Sequence, residues 1–203
     1  MKRVLVGIAS LGVASLILTS CGKEPQAEID LANAAINEAQ VIGSETYAPE
    51  SFLALQDSMK SIMDNVEAQK SKIFKNFDDS KADLMAVTQL AGEVKQKTID
   101  RKIALQNEIK QMIVEVKLLL EANNKLILEA PKGKEGATAL VAIKDELTAI
   151  DATLTEANEL LEQESYIASL DIANASKDKA SAINTELQEV IAKYKTNVKV
   201  RKG

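Results

Sequence analysis

Seven apolar residues, Leu140, Ile143, Leu147, Ile150, Leu154, Ala157 and Leu161, follow one another in alternating steps of three and four. That rhythm puts all seven on one stripe of an α-helix, whereas a strand would alternate at every second residue. A stripe this narrow is the seam of a helix that lies lengthwise against other helices. The rhythm recurs along most of the chain, so the fold class is all-α, an elongated antiparallel helical bundle. Composition agrees: 46% of the residues are hydrophobic but only 3% aromatic, tryptophan is absent, and alanine, leucine, glutamate and lysine dominate.

In chain order, a first helix is expected from Pro25 to about Ile42, with Ala27, Leu31, Ala34, Ala35, Ala39 and Ile42 on one face and Gly43 as its stop. Pro49 opens a second helix, with Glu50 and Ser51 in its first turn. Its stripe reads Phe52, Leu55, Met59, Ile62, Val66, Ile73 and Phe77, with Gln69 at the missed step. Asn76, Asp78, Asp79 and Ser80 offer cap and turn chemistry. The stripe nevertheless stays in phase from Phe77 to Leu84, so one uninterrupted helix from Pro49 to Ala130 is the alternative. A third helix carries Leu84, Val87, Ala91, Val94, Leu105, Met112, Val116, Leu119 and Leu126. It meets no breaker before Pro131, and at 1.5 Å per residue it is a rod of roughly 75–80 Å. After the Pro131–Gly136 loop and the Leu140–Leu161 stripe, the step to Tyr166 is five residues. One straight helix cannot hold both stripes on a face, so the chain turns there. The last helix presents Tyr166, Ser169, Ala173, Ser176, Ala180, Ile183, Leu187, Val190 and Tyr194.

Shifting the chain by 88 residues superposes this punctuation. The Gly43–Pro49 loop falls on Pro131–Ala137, and the Asn76–Ser80 break on Glu164–Ala168. Ala54, Asp57, Ile62 and Asp83 fall on Ala142, Asp145, Ile150 and Asp171. The body then reads as a duplication: helical unit one over residues 26–110 and unit two over 111–198. Each has three helices, they share one long central helix, and a basic tail, 199–203, follows.

The N-terminus is of another kind. Lys2 and Arg3 precede an apolar run from Val4 to Leu18, diluted by Gly7, Ser10, Gly12 and Ser15. That is a secretory signal, residues 1–20, rather than a membrane span of ~20 apolar residues. It ends in Leu18-Thr19-Ser20-Cys21, which resembles the lipobox of bacterial lipoproteins. The resemblance implies cleavage between Ser20 and Cys21, diacylation of the Cys21 sulfur, and N-acylation of the new terminus. Cys21 is the chain's one cysteine, so no disulfide forms within a monomer. Residues 21–25 are a lipidated tether too short to let the body roam. Gly22 after the cysteine, where a retention signal would place aspartate, implies the outer membrane for a Gram-negative source.

A second resemblance rests on Ala34-Ala35-Ile36, the Tyr47-Ala48-Pro49-Glu50 turn and the Ala54, Leu55, Met59 run. This stretch, from about Ala27 to Lys97, looks like the helical domain of unknown function found in many bacterial envelope lipoproteins. It implies an envelope location and a helical fold, but no reaction.

Chemistry is scarce. Histidine is absent, which removes the usual general base, His-dependent triads and most zinc or di-iron sites. Gly133 and Gly136 lie in a lysine-bearing turn, not in a phosphate loop between a strand and a helix. Neither catalytic residues nor metal ligands nor a cofactor are expected, and the chain does not read as an enzyme. Of its 203 residues, 25 are lysine or arginine and 30 aspartate or glutamate, a formal charge of −5. Loss of Lys2 and Arg3 with residues 1–20 makes it −7, which argues against nucleic acid and against electrostatic attraction of the body to anionic lipid headgroups.

Glu156, Glu159, Glu162 and Glu164 gather at one helix end, either as a weak divalent-cation site or as a solvated face with helical neighbours. The solvated face is the commoner use. Lys193, Lys195, Lys199, Arg201 and Lys202 make a basic end that either touches anionic lipid or glycan or, the favoured reading, complements a helix dipole and frays. Tyr47 and Phe74 either dock a partner or cap the core. The expected partners are the membrane, through the lipid anchor, and a protein. The expected role is that of a lipid-anchored cell-envelope protein acting structurally or through helical surfaces. The alternative is a carrier that holds an apolar ligand between its helices.

Overall fold

The computed structural model describes residues 22–202, so the Leu18-Thr19-Ser20-Cys21 segment, with its cleavage and lipidation positions, lies outside the described residues. Of the described residues 88% are helical, and none forms a strand. The elements are α1 (Gln26–Val41), α2 (Ser44–Tyr47), α3 (Pro49–Lys70), α4 (Asp78–Glu129), α5 (Lys134–Glu162) and α6 (Tyr166–Lys202). The all-α bundle expectation holds. The chain divides into two compact units, one up to Arg101 and one from Lys102. The boundary falls nine residues before the division between 110 and 111 drawn from the sequence, and inside α4.

Each turn has a local cause. Gly43 takes φ 90°, the left-handed conformation that ends α1, and its N–H bonds to the Gln40 carbonyl. Ala48, at φ −144° and ψ 51°, is held out of the helical region by the ring of Pro49. The chain does turn between α3 and α4: Asn76 Oδ1 accepts the Asp78 N–H at 2.9 Å. The alternative of one helix from Pro49 to Ala130 is thereby excluded. The five-residue step between α5 and α6 is a Schellman turn. Ser165 N–H reaches the Leu160 carbonyl and Glu164 N–H that of Leu161, with Glu164 itself at φ 59°.

Side-chain pairings give the helix directions within each unit. In the second unit, Thr153 meets Ser176 and Ser169 Oγ donates to the Ala157 carbonyl, so later residues of α5 meet earlier ones of α6. These two helices are antiparallel. Glu115 pairs with Lys177, Asn123 with Asn184 and Glu129 with Lys195, both numbers rising together, so α4 and α6 run parallel. In the first unit Glu38 pairs with Lys95 and Ser44 with Thr98, while Ser51 pairs with Lys97. That is again an up-down-up order, of α1, α3 and the start of α4.

The first unit's core is Ile29, Ala32 and Ala39 of α1, Phe52, Leu55, Met59, Ile62 and Val66 of α3, and Phe77, Leu84, Val87, Ala91 and Val94. The second unit buries Leu105, Ile109, Ile113, Val116 and Leu120 of α4 with Leu147, Ile150, Leu154, Ala157 and Leu161 of α5. From α6 it adds Tyr166, Ser169, Ala173, Ser176, Ala180, Ile183, Leu187 and Ile191. At about 25 cal/mol per Å² of apolar area, such stripes are the main favourable term of folding.

Four expectations are corrected. The buried face of α1 is Ile29, Ala32 and Ala39; Ala27, Leu31 and Ala34 point outward. Ile73 is not on the α3 stripe, because α3 ends at Lys70 and Ile73 is exposed. Along α4 a strict seven-residue repeat lags a real helix by ~20° per heptad. Burial therefore passes from the predicted Met112 and Leu119 to Ile113 and Leu120. At the end of α6 the same slip moves burial from Val190 to Ile191 and leaves Tyr194 exposed. Helix α6 runs on to Lys202.

Candidate functional site

Helix α1 is apolar on two faces, and only one is packed. Ala27, Leu31, Ala34 and Val41 recur at helical spacing on the outer side, with Leu31 63% and Val41 79% exposed. An apolar stripe left uncovered is the kind of surface that a partner helix covers. Its polar members are engaged along the helix: Gln26 Nε2 donates to Asp30 Oδ1 at 2.8 Å, and Lys95 Nζ donates to Glu38 Oε2 at 2.8 Å. That hydrogen bond, and then the charge of Lys95, hold the Glu38 carboxyl below its ordinary pKa.

The start of the described chain is fastened close by. Pro25 is fully buried, and Gln26 N–H bonds to the Glu24 carbonyl. Glu24 forms an ion pair with Lys70 at the end of α3. Lys70 also receives Glu67 at 2.8 Å; the hydrogen bonds to Glu24 and then Glu67 push its pKa up. The folded body therefore begins three residues after Cys21.

The other side chains singled out from the sequence are distributed along the surface. Glu156, Glu159, Glu162 and Glu164 are all exposed; Glu162 accepts from Asn158, and Glu164 lies 3.9 Å from Lys102. Among the described residues no group of three or more His, Cys, Asp or Glu side chains is placed to hold a metal ion. Lys193 pairs with Glu189 and Lys195 with Glu129. Phe74 is exposed and does not cap the core, a place taken by Phe77; Tyr47 is half-buried.

Ser169 and Ser176 face inward, as their spacing predicts, and serve packing. The Ser169 hydroxyl donates to the Ala157 carbonyl at 2.6 Å, and that of Ser176 meets Thr153. Sequence reasoning missed Thr98 and Asn123, which occupy buried steps of the α4 stripe. Thr98 Oγ1 donates to the Val94 carbonyl and meets Ser44, while Asn123 Nδ2 donates to the Ala180 carbonyl and its Oδ1 accepts from Asn184. Each lies seven residues from apolar neighbours on both sides, Ala91 and Leu105 or Val116 and Ala130, and that spacing was the signal for them.

Grooves on the helical surfaces have mixed linings. One of about 540 Å³ lies between α3 and α4 and is rimmed by Asp57, Ser58, Ser61, Asn65 and Asp83. A smaller one, about 230 Å³, lies among Ile127, Leu128, Leu140 and Val141, with Lys132 and Lys144 at its edge. Among the described residues no helix is long and apolar enough to cross a membrane. Compared with protein-family models, with curated proteins and with solved structures, the chain matches none of them significantly.

Proposed function

We propose that this chain is a lipid-anchored cell-envelope protein, held through acylated Cys21, that works by offering a helical surface to a protein partner. The observation that carries the partner half of this reading is the outward stripe of α1, where Leu31 and Val41 stand in solvent on a helix whose other face is core. The anchor half rests on the Leu18-Thr19-Ser20-Cys21 sequence and is supported by the short distance from Cys21 to the buried Pro25. A helical envelope lipoprotein, delivered to the outer membrane in a Gram-negative source, is the class this fits, and no reaction is assigned to it. One acyl chain binds membranes only marginally, whereas two or three hold the body stably at the surface.

The test has two arms. Labelled palmitate marks the wild-type chain and not Cys21→Ser; equal labelling of both overturns the anchor. A photo-crosslinking residue at Leu31, used in cells, captures one discrete protein, and Val41→Glu abolishes the capture while the melting temperature stays unchanged. Capture that is indifferent to Val41→Glu overturns the α1 surface.

A further inference from the structure

The turn between α3 and α4 carries the two most exposed large apolar side chains among the described residues: Ile73 at 93% and Phe74 at 91%. They are adjacent, they lie outside any helix, and Lys72 and Lys75 bracket them. Two neighbouring apolar side chains standing free in water are a standing cost, and no other large apolar side chains among the described residues are as exposed. An apolar tip between cations is suited to the boundary between lipid headgroups and acyl chains. There Ile and Phe leave water, and the lysine stems lie along the interface with their charges among phosphates.

The position of this tip within the first unit identifies what covers it. The Glu24–Lys70 ion pair holds the start of the described chain against the end of α3. Cys21 lies three residues before Glu24, and Ile73 three residues after Lys70. Three residues span at most about 11 Å. The acylation position and the apolar tip are thus both leashed to one ion pair at one end of the unit. Helix α1 then carries the chain away from that end, about 24 Å over its 16 residues at 1.5 Å each.

We infer that Ile73 and Phe74, with Lys72 and Lys75, insert into the surface of the lipid bilayer in which the Cys21 acyl chains are seated. The inference rests on the anchor reading above and deepens it: the anchor brings the body to the bilayer, and the tip fixes which end faces it. Contact at two points holds the body in one orientation, where a single lipidated tether would let it swing.

The chain contains no tryptophan, so Phe74→Trp creates a single fluorescent reporter at a fully exposed position. The full-length acylated variant is reconstituted into phosphatidylcholine vesicles, with and without phosphatidylglycerol, and brominated lipids serve as quenchers. The expected result is a blue-shifted indole emission from Phe74→Trp, at least half quenched by lipids brominated near the headgroup, and more so with phosphatidylglycerol. The emission of a second variant, Val41→Trp, at the far end of α1, stays unshifted and unquenched.

If the Phe74→Trp reporter remains water-exposed on a chain that floats with the vesicles and carries labelled palmitate, the tip is overturned and the anchor left standing. A chain that takes no palmitate overturns the anchor, and the tip's bilayer contact with it. A Phe74→Trp emission that shifts only with protein concentration, without lipid, assigns the tip to a second copy and overturns the inference.

Discussion

The two units bury the same stripes with different fillings. Along the third helix of each, from the residue at its start, the buried positions pair one for one at a spacing of 89: Phe77 with Tyr166, Ser80 with Ser169, Leu84 with Ala173, Val87 with Ser176, Ala91 with Ala180, Val94 with Ile183 and Thr98 with Leu187. On the second helix the spacing is 88: Met59 with Leu147, Ile62 with Ile150, Val66 with Leu154. On the first it is 91: Ile29 with Leu120, Ala32 with Asn123, Ala39 with Ala130. The spacing changes only across turns, where added or lost residues disturb no core contact. The first unit's connection carries the extra turn α2, and the second unit's does not. This correspondence supports a duplication better than the four identities in the sequence do, because it rests on which residues are buried.

The fillings teach something further. Where the first unit places Leu84 and Val87 on its third helix, the second places Ala173 and Ser176, and its first helix carries the larger Asn123 where the other unit has Ala32. Small residues let the helices approach closely enough for Asn123 to reach the Ala180 backbone. Each unit buries a polar contact between elements, Asn123 with the Ala180 backbone in the second and Ser44 with Thr98 in the first, at different places along the seam.

The strongest way to break this comparison is a charge in either seam. Ile62→Asp and Ile150→Asp each bury an unpaired carboxylate at an equivalent position and should each cost at least ~3–5 kcal/mol, about the limit of what a single substitution does. Chemical denaturation checks both; a difference of more than about 2 kcal/mol between them would mean that the two seams are not equivalent. Next come the exchanged residues. Asn123→Ala strands the Asn184 amide and should cost about 1–3 kcal/mol, while Ala32→Asn inserts an amide with no acceptor and should cost about as much. If Ala32→Asn proved neutral in a thermal melt, the first unit's core would be no tighter than the second's.

The turns sharpen the comparison at smaller scale. Gly43 and Glu164 both sit at left-handed φ, so Gly43→Ala should cost about 1 kcal/mol and Glu164→Gly should gain a similar amount. Equal signs for the two in a denaturant titration would contradict the strain assigned to Glu164. The smallest effect concerns Glu38. Its folded pKa is depressed by Lys95, so its contribution is present above the ordinary carboxylate value and is lost as pH falls through the folded one. The pair lies at the surface in contact with solvent, so Glu38→Gln should leave the melting temperature at neutral pH within error and remove only a slight loss on the acid side. A large change at neutral pH would show that the pair fastens α1 to α4.

The parts legible in advance were those with one apolar stripe per helix. The α5 seam, the α3 seam as far as Val66 and the turn after Leu161 follow from spacing alone, because nothing else on those helices competes for the core. Helix α1 was misread because it has two apolar stripes, both at helical spacing. Ala27-Leu31-Ala34 and Ile29-Ala32-Ala39 are equally helical, and hydrophobicity cannot say which one meets a neighbour. Ile73 was misread because a stripe continues in phase whether or not the helix does. In α4 the seven-residue rhythm was carried further than a helix of 3.6 residues per turn allows.

By itself, then, the sequence determined the helical class and the turns at Gly43–Pro49, after Pro131 and after Leu161, since periodicity, proline, glycine and cap residues act within a few neighbours. The tertiary structure alone decided which face of α1 is core, that Thr98 and Asn123 find partners, and that Ile73 and Phe74 stand at the end of the first unit where the described residues begin. Those outcomes depend on residues tens of positions apart meeting in space, as Glu24 meets Lys70 and Asn123 meets Asn184. Local pattern carries no record of such meetings.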